Sequence, residues 1–337
     1  MKNKSADTCS PTTLPGNAFF PSRGPDRISR PEAEKTYPKP SARSIRKKPV
    51  EKEATREVIR ADTAGFCMGV ILALQRLDSL IERTDRGPIF TLGPIIHNPQ
   101  VLEEYAARGV FTAESPEDIP PGATAVIRAH GVPKQVKEHL QVRGIPVIDA
   151  TCPKVKRAQL LIEEQAKDGR MLLLYGEESH PEVKGLLSYA EAGAVVFGTH
   201  NELEEIPLDP GAPYCLAAQT TQDRGIFESI IADLTTPPAL NVTVLQTICD
   251  ATKHRQDEAV RIARQVNFMV VVGGFNSGNT RRLVQVVKAG GTPVLHVETA
   301  RELPWEKLKK YSKIGLTAGA STPKKAIDEI QRILMLS

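Results

Sequence analysis

From Val58 to the end of the chain, short runs rich in β-branched residues alternate with amphipathic stretches. This alternation is typical of α/β proteins with parallel sheets, because two parallel strands need a long crossover connection between them. We predict strands over residues 57–62, 88–92, 123–128, 146–149, 171–175, 194–197, 214–218, 242–246, 268–272, 293–296 and 313–316. We predict helices between them, including 70–83, 154–167, 252–265 and 323–334.

Residues 1–50 differ from the rest of the chain in charge and composition. They hold eleven Lys or Arg against four Asp or Glu, and eight of the 26 prolines. Such a segment buries too little apolar surface to offset its ordering entropy, so we predict a disordered basic tail over residues 1–56. Three interpretations of the tail stay open: an inert extension, a contact with nucleic acid or an anionic surface, and organelle targeting.

The whole chain has 44 Lys or Arg and 40 Asp or Glu, which give a net charge of +4. Since residues 1–50 alone carry +7, the rest of the chain is mildly acidic, with a net charge of −3. Its best apolar run, 268–275, is less than half the ~20 residues that span a bilayer, so no membrane role is expected. No nucleic-acid partner is expected either, since basic and aromatic residues do not interleave. Five scattered cysteines indicate a reducing compartment, which we take to be the cytoplasm, with the plastid stroma as the alternative.

Several predicted strands end in a polar or thiol residue that proline soon follows. These junctions are Ala129-His130-Gly131-Val132-Pro133, Thr151-Cys152-Pro153, Ser179-His180-Pro181-Glu182 and Ala320-Ser321-Thr322-Pro323. Because proline is favoured at the first helical position, each sequence predicts a strand-to-helix connection. Ligands bind at this edge of open α/β sheets, and helix N-termini there favour anions. We therefore expect these side chains to converge on one cleft.

Three cysteines occupy equivalent junctions: Cys67, Cys152 and Cys249, which are 85 and 97 residues apart. These intervals suggest three similar α/β units that each deliver one thiol to a shared centre. The alternative is that each cysteine is a small buried hydrophobe, as we expect for Cys215 in an apolar strand. Structural zinc sites use closely spaced ligand pairs, which are missing from this sequence. Three thiolates on a four-iron cluster would leave one iron open to a substrate.

Nine short motifs occur in order along the body of the chain. They are Ala64-Gly-Phe-Cys67-Met-Gly-Val70, Ile96-His97-Asn98-Pro99, Ala129-His130-Gly131-Val132, Asp149-Ala-Thr-Cys152-Pro153, His180-Pro-Glu-Val183, Gln219-Thr220-Thr221, Thr247-Ile-Cys249-Asp-Ala-Thr252 with Arg255-Gln256, Asn276-Ser277-Gly278-Asn279 and Thr317-Ala-Gly-Ala-Ser321. With these motifs, the chain from about Val58 onward resembles the 4-hydroxy-3-methylbut-2-enyl diphosphate reductase (IspH/LytB) family. It departs from the family pattern at Glu177 and Glu178, where many relatives have a further histidine, and at Gly278, which replaces a serine.

The resemblance implies that an allylic diphosphate takes up two electrons and two protons, loses water and gives isopentenyl and dimethylallyl diphosphates. This is the last step of the methylerythritol phosphate route to isoprenoids. The implied cofactor is one [4Fe-4S] cluster held by Cys67, Cys152 and Cys249, with one open iron. Glu182 and Thr220 are the implied catalytic residues. The implied substrate-binding residues are His97, His130, His180, Thr220, Ser277, Gly278, Asn279 and Ser321.

The implied fold is three α/β units around a central cluster. The predicted boundaries are 57–68 for a first strand that packs with the third unit, then 69–151, 152–248 and 249–337 for the three units. No Gly-rich dinucleotide fingerprint follows a strand, so the electrons come from an external donor, for which the family implies ferredoxin or flavodoxin. Two other functions stay open: a cluster-free or zinc-containing diphosphate-binding protein or hydrolase, and a nucleic-acid partner that binds through the tail.

Overall fold

The structure is a computed structural model that describes residues 56–83, 87–236 and 240–336. Residues 1–55 of the predicted tail lie outside the described residues. Arg56, the last residue of that tail, is instead buried. Its guanidinium group donates hydrogen bonds of 3.1 Å to the carbonyl oxygens of Leu308, Tyr311 and Leu334. Arg56 is therefore part of the folded body.

The described residues form twelve strands and eleven α-helices. The strands are β1 (Glu57–Arg60), β2 (Ile89–Leu92), β3 (Val110–Ala113), β4 (Thr124–Ile127), β5 (Val147–Asp149), β6 (Met171–Tyr175), β7 (Ala194–Phe197), β8 (Tyr214–Ala218), β9 (Val242–Val244), β10 (Phe268–Val272), β11 (Val294–Val297) and β12 (Lys313–Ala318). The helices are α1 (Met68–Ile81), α2 (Pro99–Ala107), α3 (Lys134–Val142), α4 (Pro153–Lys167), α5 (Pro181–Leu187), α6 (His200–Glu204), α7 (Arg224–Thr235), α8 (Asp250–Ala263), α9 (Gly278–Ala289), α10 (Trp305–Leu308) and α11 (Lys324–Leu336).

The strands assemble into three separate sheets of four parallel strands. Their orders are β3-β2-β4-β5, β7-β6-β8-β9 and β11-β10-β12-β1. In the first two sheets the strands lie in the order second, first, third, fourth along the chain. The third sheet has the same order, with β1 in the position of the fourth strand. The predicted fold class of three α/β units with parallel sheets is confirmed.

The central strands of the sheets are covered on both faces. In β6 the side chains of Leu172, Leu173 and Leu174 are fully buried, and in β10 the run from Met269 to Val272 is equally inaccessible. Strands buried on both sides need continuous apolar sequence, which is why these runs lack an alternating pattern. The polar residues of the predicted site follow the ends of these strands.

One strand and several helix starts differ from the sequence predictions. Strand β3 was not predicted, because it is a short edge strand whose middle residues, Phe111 and Thr112, are exposed. Helix α1 begins at Met68, two residues earlier than predicted, because the Cys67 Sγ accepts a hydrogen bond from the Val70 amide and caps the helix. Among the described residues, no helix combines the length and the hydropathy needed to span a bilayer.

Candidate active site

The three cysteines at equivalent junctions each immediately precede a helix. Cys67 is the N-cap of α1, Cys152 that of α4 and Cys249 that of α8. All three are partly exposed and unpaired, whereas Cys215 is buried in β8. A side chain at a helix N-terminus lies at the positive end of the helix dipole, a position suited to a negatively charged group.

Each of these cysteines is anchored to the end of a strand in a neighbouring part of the fold. The Cys67 amide donates to the Ala320 carbonyl at 3.1 Å, and the Cys152 amide donates to the Ala129 carbonyl at 2.9 Å. The Cys249 amide donates to the Thr220 carbonyl at 3.0 Å. These bonds place every thiol next to a junction that carries a predicted substrate-binding residue.

Gly69 keeps space open between two of the sulfur atoms. A Cβ atom at this position would lie 2.4 Å from the Cys152 Sγ and 3.8 Å from the Cys67 Sγ. Burial raises the pKa of the Cys152 thiol, and the nearby sulfurs of Cys67 and Cys249 raise it further. All three cysteines line the same cavity, as ligands of one metal centre must.

Three histidines form a compact cluster in the same region. The ring centroids of His97 and His130 are 4.7 Å apart, and those of His130 and His180 are 5.4 Å apart. The nearest nitrogen atoms of all three lie within 4.8 Å of one another. His180 is the N-cap of α5, where its Nδ1 accepts the Glu182 amide hydrogen at 3.1 Å.

The histidine cluster is neutral at pH 7. Burial lowers the pKa of His97 to about 4, and the charges of Arg128 and Arg281 lower it further. Burial and the same neighbours lower the pKa of His180 to about 3, and burial holds that of His130 well below its ordinary value. A neutral imidazole has one N–H donor and one acceptor, so each ring donates a directed hydrogen bond without carrying charge.

Several polar atoms in this region are buried without a hydrogen-bond partner. They are the His97 Nε2, the His130 Nδ1 and the Asn279 Nδ2. Nearby, the Ser321 hydroxyl donates to the His97 carbonyl at 3.1 Å and lies 3.5 Å from the Ser277 hydroxyl. Buried polar groups in native proteins almost always have partners, so unpartnered atoms at a cavity wall indicate a polar ligand.

Glu182 is a fully buried carboxyl group in the first turn of α5. Its two oxygens accept hydrogen bonds from the Thr220 amide at 2.6 Å and the Thr220 hydroxyl at 3.0 Å. Burial raises the pKa of Glu182 to about 7, although both hydrogen bonds from Thr220 oppose the shift. A carboxyl group with this pKa gives and accepts protons near neutral pH.

The predicted site residues line one cavity. All twelve are present in its wall: Cys67, His97, His130, Cys152, His180, Glu182, Thr220, Cys249, Ser277, Gly278, Asn279 and Ser321. The cavity thus combines soft metal ligands, neutral hydrogen-bond donors and a proton-exchanging carboxyl group. This set is suited to redox chemistry on an anionic substrate.

Three arginines lie at or near the cavity, and only Arg255 belongs to a motif noted in the sequence. Arg255 lines it, is buried, and donates from its Nη2 to the Gly65 carbonyl at 2.5 Å. Arg128 and Arg281 act on the histidines through their charge. Arg281 also forms an ion pair with Glu177. Through this pair, one of the two acidic residues at positions 177 and 178 links α9 to the loop before α5. Only the fold brings Arg128 and Arg281 to the site, since nothing in the local sequence distinguishes them.

Comparison with known proteins gives matches over most of the chain. Residues 58–335 match the family described as LytB protein. The protein named 4-hydroxy-3-methylbut-2-enyl diphosphate reductase from Solidesulfovibrio magneticus is 57% identical over 282 residues, which are 82% of this chain and 99% of the relative. The protein of the same name from Geobacter sulfurreducens is 41% identical over 274 residues, covering 81% of this chain and 95% of the relative.

Two solved structures resemble the fold. One is the E-1-hydroxy-2-methyl-but-2-enyl-4-diphosphate reductase from Plasmodium falciparum, with a TM-score of 0.78, 26% identity and coverage of 83% of this chain and 88% of that chain. The other is described as (E)-4-hydroxy-3-methyl-but-2-enyl diphosphate reductase, with a TM-score of 0.61, 36% identity and coverage of 84% and 100%. The resemblance inferred from the nine motifs is confirmed, and the chain belongs to the LytB family.

Proposed function

We propose that this chain is an iron-sulfur reductase that converts (E)-4-hydroxy-3-methylbut-2-enyl diphosphate to isopentenyl diphosphate and dimethylallyl diphosphate. This is the last step of the methylerythritol phosphate route to isoprenoids. The observation that carries the proposal is that three thiols, a cluster of hydrogen-bond donors and a buried carboxyl group line one cavity. Reductive loss of a hydroxyl group needs a redox centre, a site for the diphosphate and a source of protons.

The proposed metal ligands are Cys67, Cys152 and Cys249, which would hold a [4Fe-4S] cluster with one iron free of protein ligands. The donor set fits, because thiolates are the ligands that such clusters prefer and Gly69 leaves the adjoining space open. When bound, the cluster supplies electrons singly and an iron that takes the substrate hydroxyl. Arg255, whose guanidinium is attracted by Cys67 and Cys249, offsets part of the negative charge of the thiolates.

The diphosphate is proposed to bind among the neutral histidines and the start of α9. The unpartnered nitrogens of His97, His130 and Asn279 are available to its oxygens. The side chains of Ser277, Ser321, His180 and Thr220 line the same space, and Gly278 offers its backbone amide at the first position of α9. A helix of this length favours an anion at its N-terminus, because the first amides have no partner inside the helix.

Glu182 is proposed to supply the protons. With a pKa of about 7, a large fraction of this carboxyl group carries its proton at neutral pH. Thr220 donates to both of its oxygens, which fixes the orientation of the carboxyl group. Protonation of the departing hydroxyl turns a poor leaving group into water, and the second proton completes the product.

The test is an anaerobic turnover assay with the allylic diphosphate and reduced methyl viologen. We expect the purified protein to contain iron and sulfide and to form both isomeric products. Cys152→Ser should lose iron, sulfide and turnover together. Cys215→Ala is the matched control, since this cysteine lies outside the cavity in β8 and should keep all three. No product from a cluster-loaded protein would refute the proposal.

A second candidate is a zinc-containing diphosphate hydrolase. It is favoured by the three histidines, whose nitrogens lie within 4.8 Å of one another and so resemble an open zinc site. Metal analysis separates the two functions. Stoichiometric zinc without sulfide, together with release of phosphate from the substrate, would favour the hydrolase.

We further propose that the electrons come from a ferredoxin or flavodoxin and that the enzyme works in the cytoplasm, with the plastid stroma as the alternative. The four described cysteines are all free, as expected of thiols in a reducing compartment.

A further inference from the structure

A second, open space lies beside the thiol-bearing ends of α4 and α8. The charged residues that line this basic cleft are Lys154, Arg157, Arg224, Glu228, Asp250 and Lys253. Lys154 pairs with Asp250 at 2.8 Å, and Arg224 pairs with Glu228 at 2.5 Å. Both acidic residues are thus neutralised inside the cleft.

Arg157 and Lys253 supply the remaining charge of the basic cleft. Neither has an ion-pair partner among the described residues. Arg157 is exposed, and Leu160, one turn further along α4, is 53% exposed. Two unpaired cations at an open cleft attract an acidic partner.

The position of the basic cleft relates it directly to the proposed metal centre. Lys154 follows Cys152 by two residues, and Lys253 follows Cys249 by four. Lys154 also lines the active-site cavity, so the two spaces are neighbours. A carrier protein in this cleft would lie against the ends of the two helices that hold two of the three thiols.

The positive charge of the cleft indicates what kind of protein would bind there. The chain beyond residue 50 is acidic overall, whereas the cleft has an excess of positive charge. An acidic protein is therefore repelled by the net charge of the body and attracted to this cleft. Such complementarity mainly accelerates association and makes it sensitive to salt.

We propose that the basic cleft is the docking site of a small acidic one-electron carrier protein. The proposal rests on the proposed function, which requires two electrons from outside the chain for each substrate. In each docking event one electron passes from the carrier, which is oxidised, to the metal centre, which is reduced. No bond is broken and no proton moves in this step, and two docking events serve one turnover.

The test compares two double variants. Arg157→Glu with Lys253→Glu reverses the free charges of the cleft, and Lys288→Glu with Arg332→Glu makes the same change at exposed positions on α9 and α11 that do not line it. An acidic flavodoxin is the probe, and its dissociation constant is measured by calorimetry at several salt concentrations. We expect the cleft variant to bind at least about tenfold more weakly at low salt and to lose most of the salt dependence. The control variant should bind like the wild type.

Turnover separates this proposal from the proposed function. With reduced methyl viologen, which needs no protein docking, the cleft variant should keep the wild-type rate, and with reduced flavodoxin its kcat/KM should fall by about tenfold. The milder pair Arg157→Gln and Lys253→Gln should give an intermediate loss. Unchanged flavodoxin binding in the cleft variant would overturn the docking site alone, as would an equal loss in the control variant. A wild-type protein that is inactive with viologen would refute the proposed function as well.

Discussion

Replacing Glu182 by glutamine removes the proton of a buried carboxyl group while keeping its shape. The Thr220 amide can still donate to the new side-chain oxygen, and the new amide group can donate to the Thr220 hydroxyl. We therefore expect the substrate to bind with nearly the wild-type affinity. General acid catalysis contributes about 10²–10⁴-fold to a rate, so turnover should fall by that factor.

The same substitution should change how stability depends on pH. The folded protein raises the pKa of Glu182 from 4.5 to about 7, so the buried carboxyl group keeps its proton where the unfolded chain has lost it. The wild type therefore loses free energy of unfolding as the pH rises between these values, by up to about 3 kcal/mol in total. Glutamine does not titrate, so the advantage of the variant should appear above pH 5 and level off above pH 7.

Two measurements check this reasoning. Turnover with methyl viologen and substrate affinity give the catalytic part, and urea unfolding of the cluster-free chain at pH 5, 6, 7 and 8 gives the stability part. Glu178→Gln is the matched control, since Glu178 is exposed in the loop before α5 and loses the same charge. Turnover of Glu182→Gln within tenfold of the wild type would remove Glu182 from the proton path. A stability difference that is constant with pH would show that the carboxyl group is not neutral when buried.

Three further outcomes are expected. Gly69→Ala places a methyl group against the Cys152 Sγ, so iron content after anaerobic purification should fall severalfold while circular dichroism stays unchanged; full iron loading would contradict the crowding. Cys215→Ala should lower the free energy of unfolding by about 1 kcal/mol in urea titrations and leave the iron content unchanged. Arg56→Ala removes three hydrogen bonds to backbone carbonyls, so unfolding should become easier by about 3 kcal/mol at an unchanged KM, and a loss below about 0.5 kcal/mol would show that Arg56 contributes little.

The sequence predicts most of the fold because its signals are local. Proline after a polar strand end marks the start of α4 and α5, and β-branched runs mark the buried strands. The edge strand β3 was not predicted, because half of it faces solvent and its sequence therefore lacks the apolar pattern of a buried strand.

The candidate site, too, can be predicted from the sequence only in part. Its cysteines, its histidines and Glu182 lie in recognisable strand-to-helix junctions, so the sequence predicts that they share one edge of the sheets. Arg128 and Arg281 carry no such signal, and only the packing of distant segments brings their charge to the site. The pKa of Glu182 is likewise a consequence of burial that no local motif encodes.

The pairing of β1 with β12 has a consequence for how the protein is made. Glu57 leaves the ribosome early, but its sheet neighbour Lys313 is translated almost at the end of the chain. The Cys67 segment also waits for Ala320, whose carbonyl holds the Cys67 amide. A nascent chain therefore lacks the contacts that hold the Cys67 segment until nearly all of it has been synthesised. Under the proposed function, the metal centre can be completed only at the end of translation.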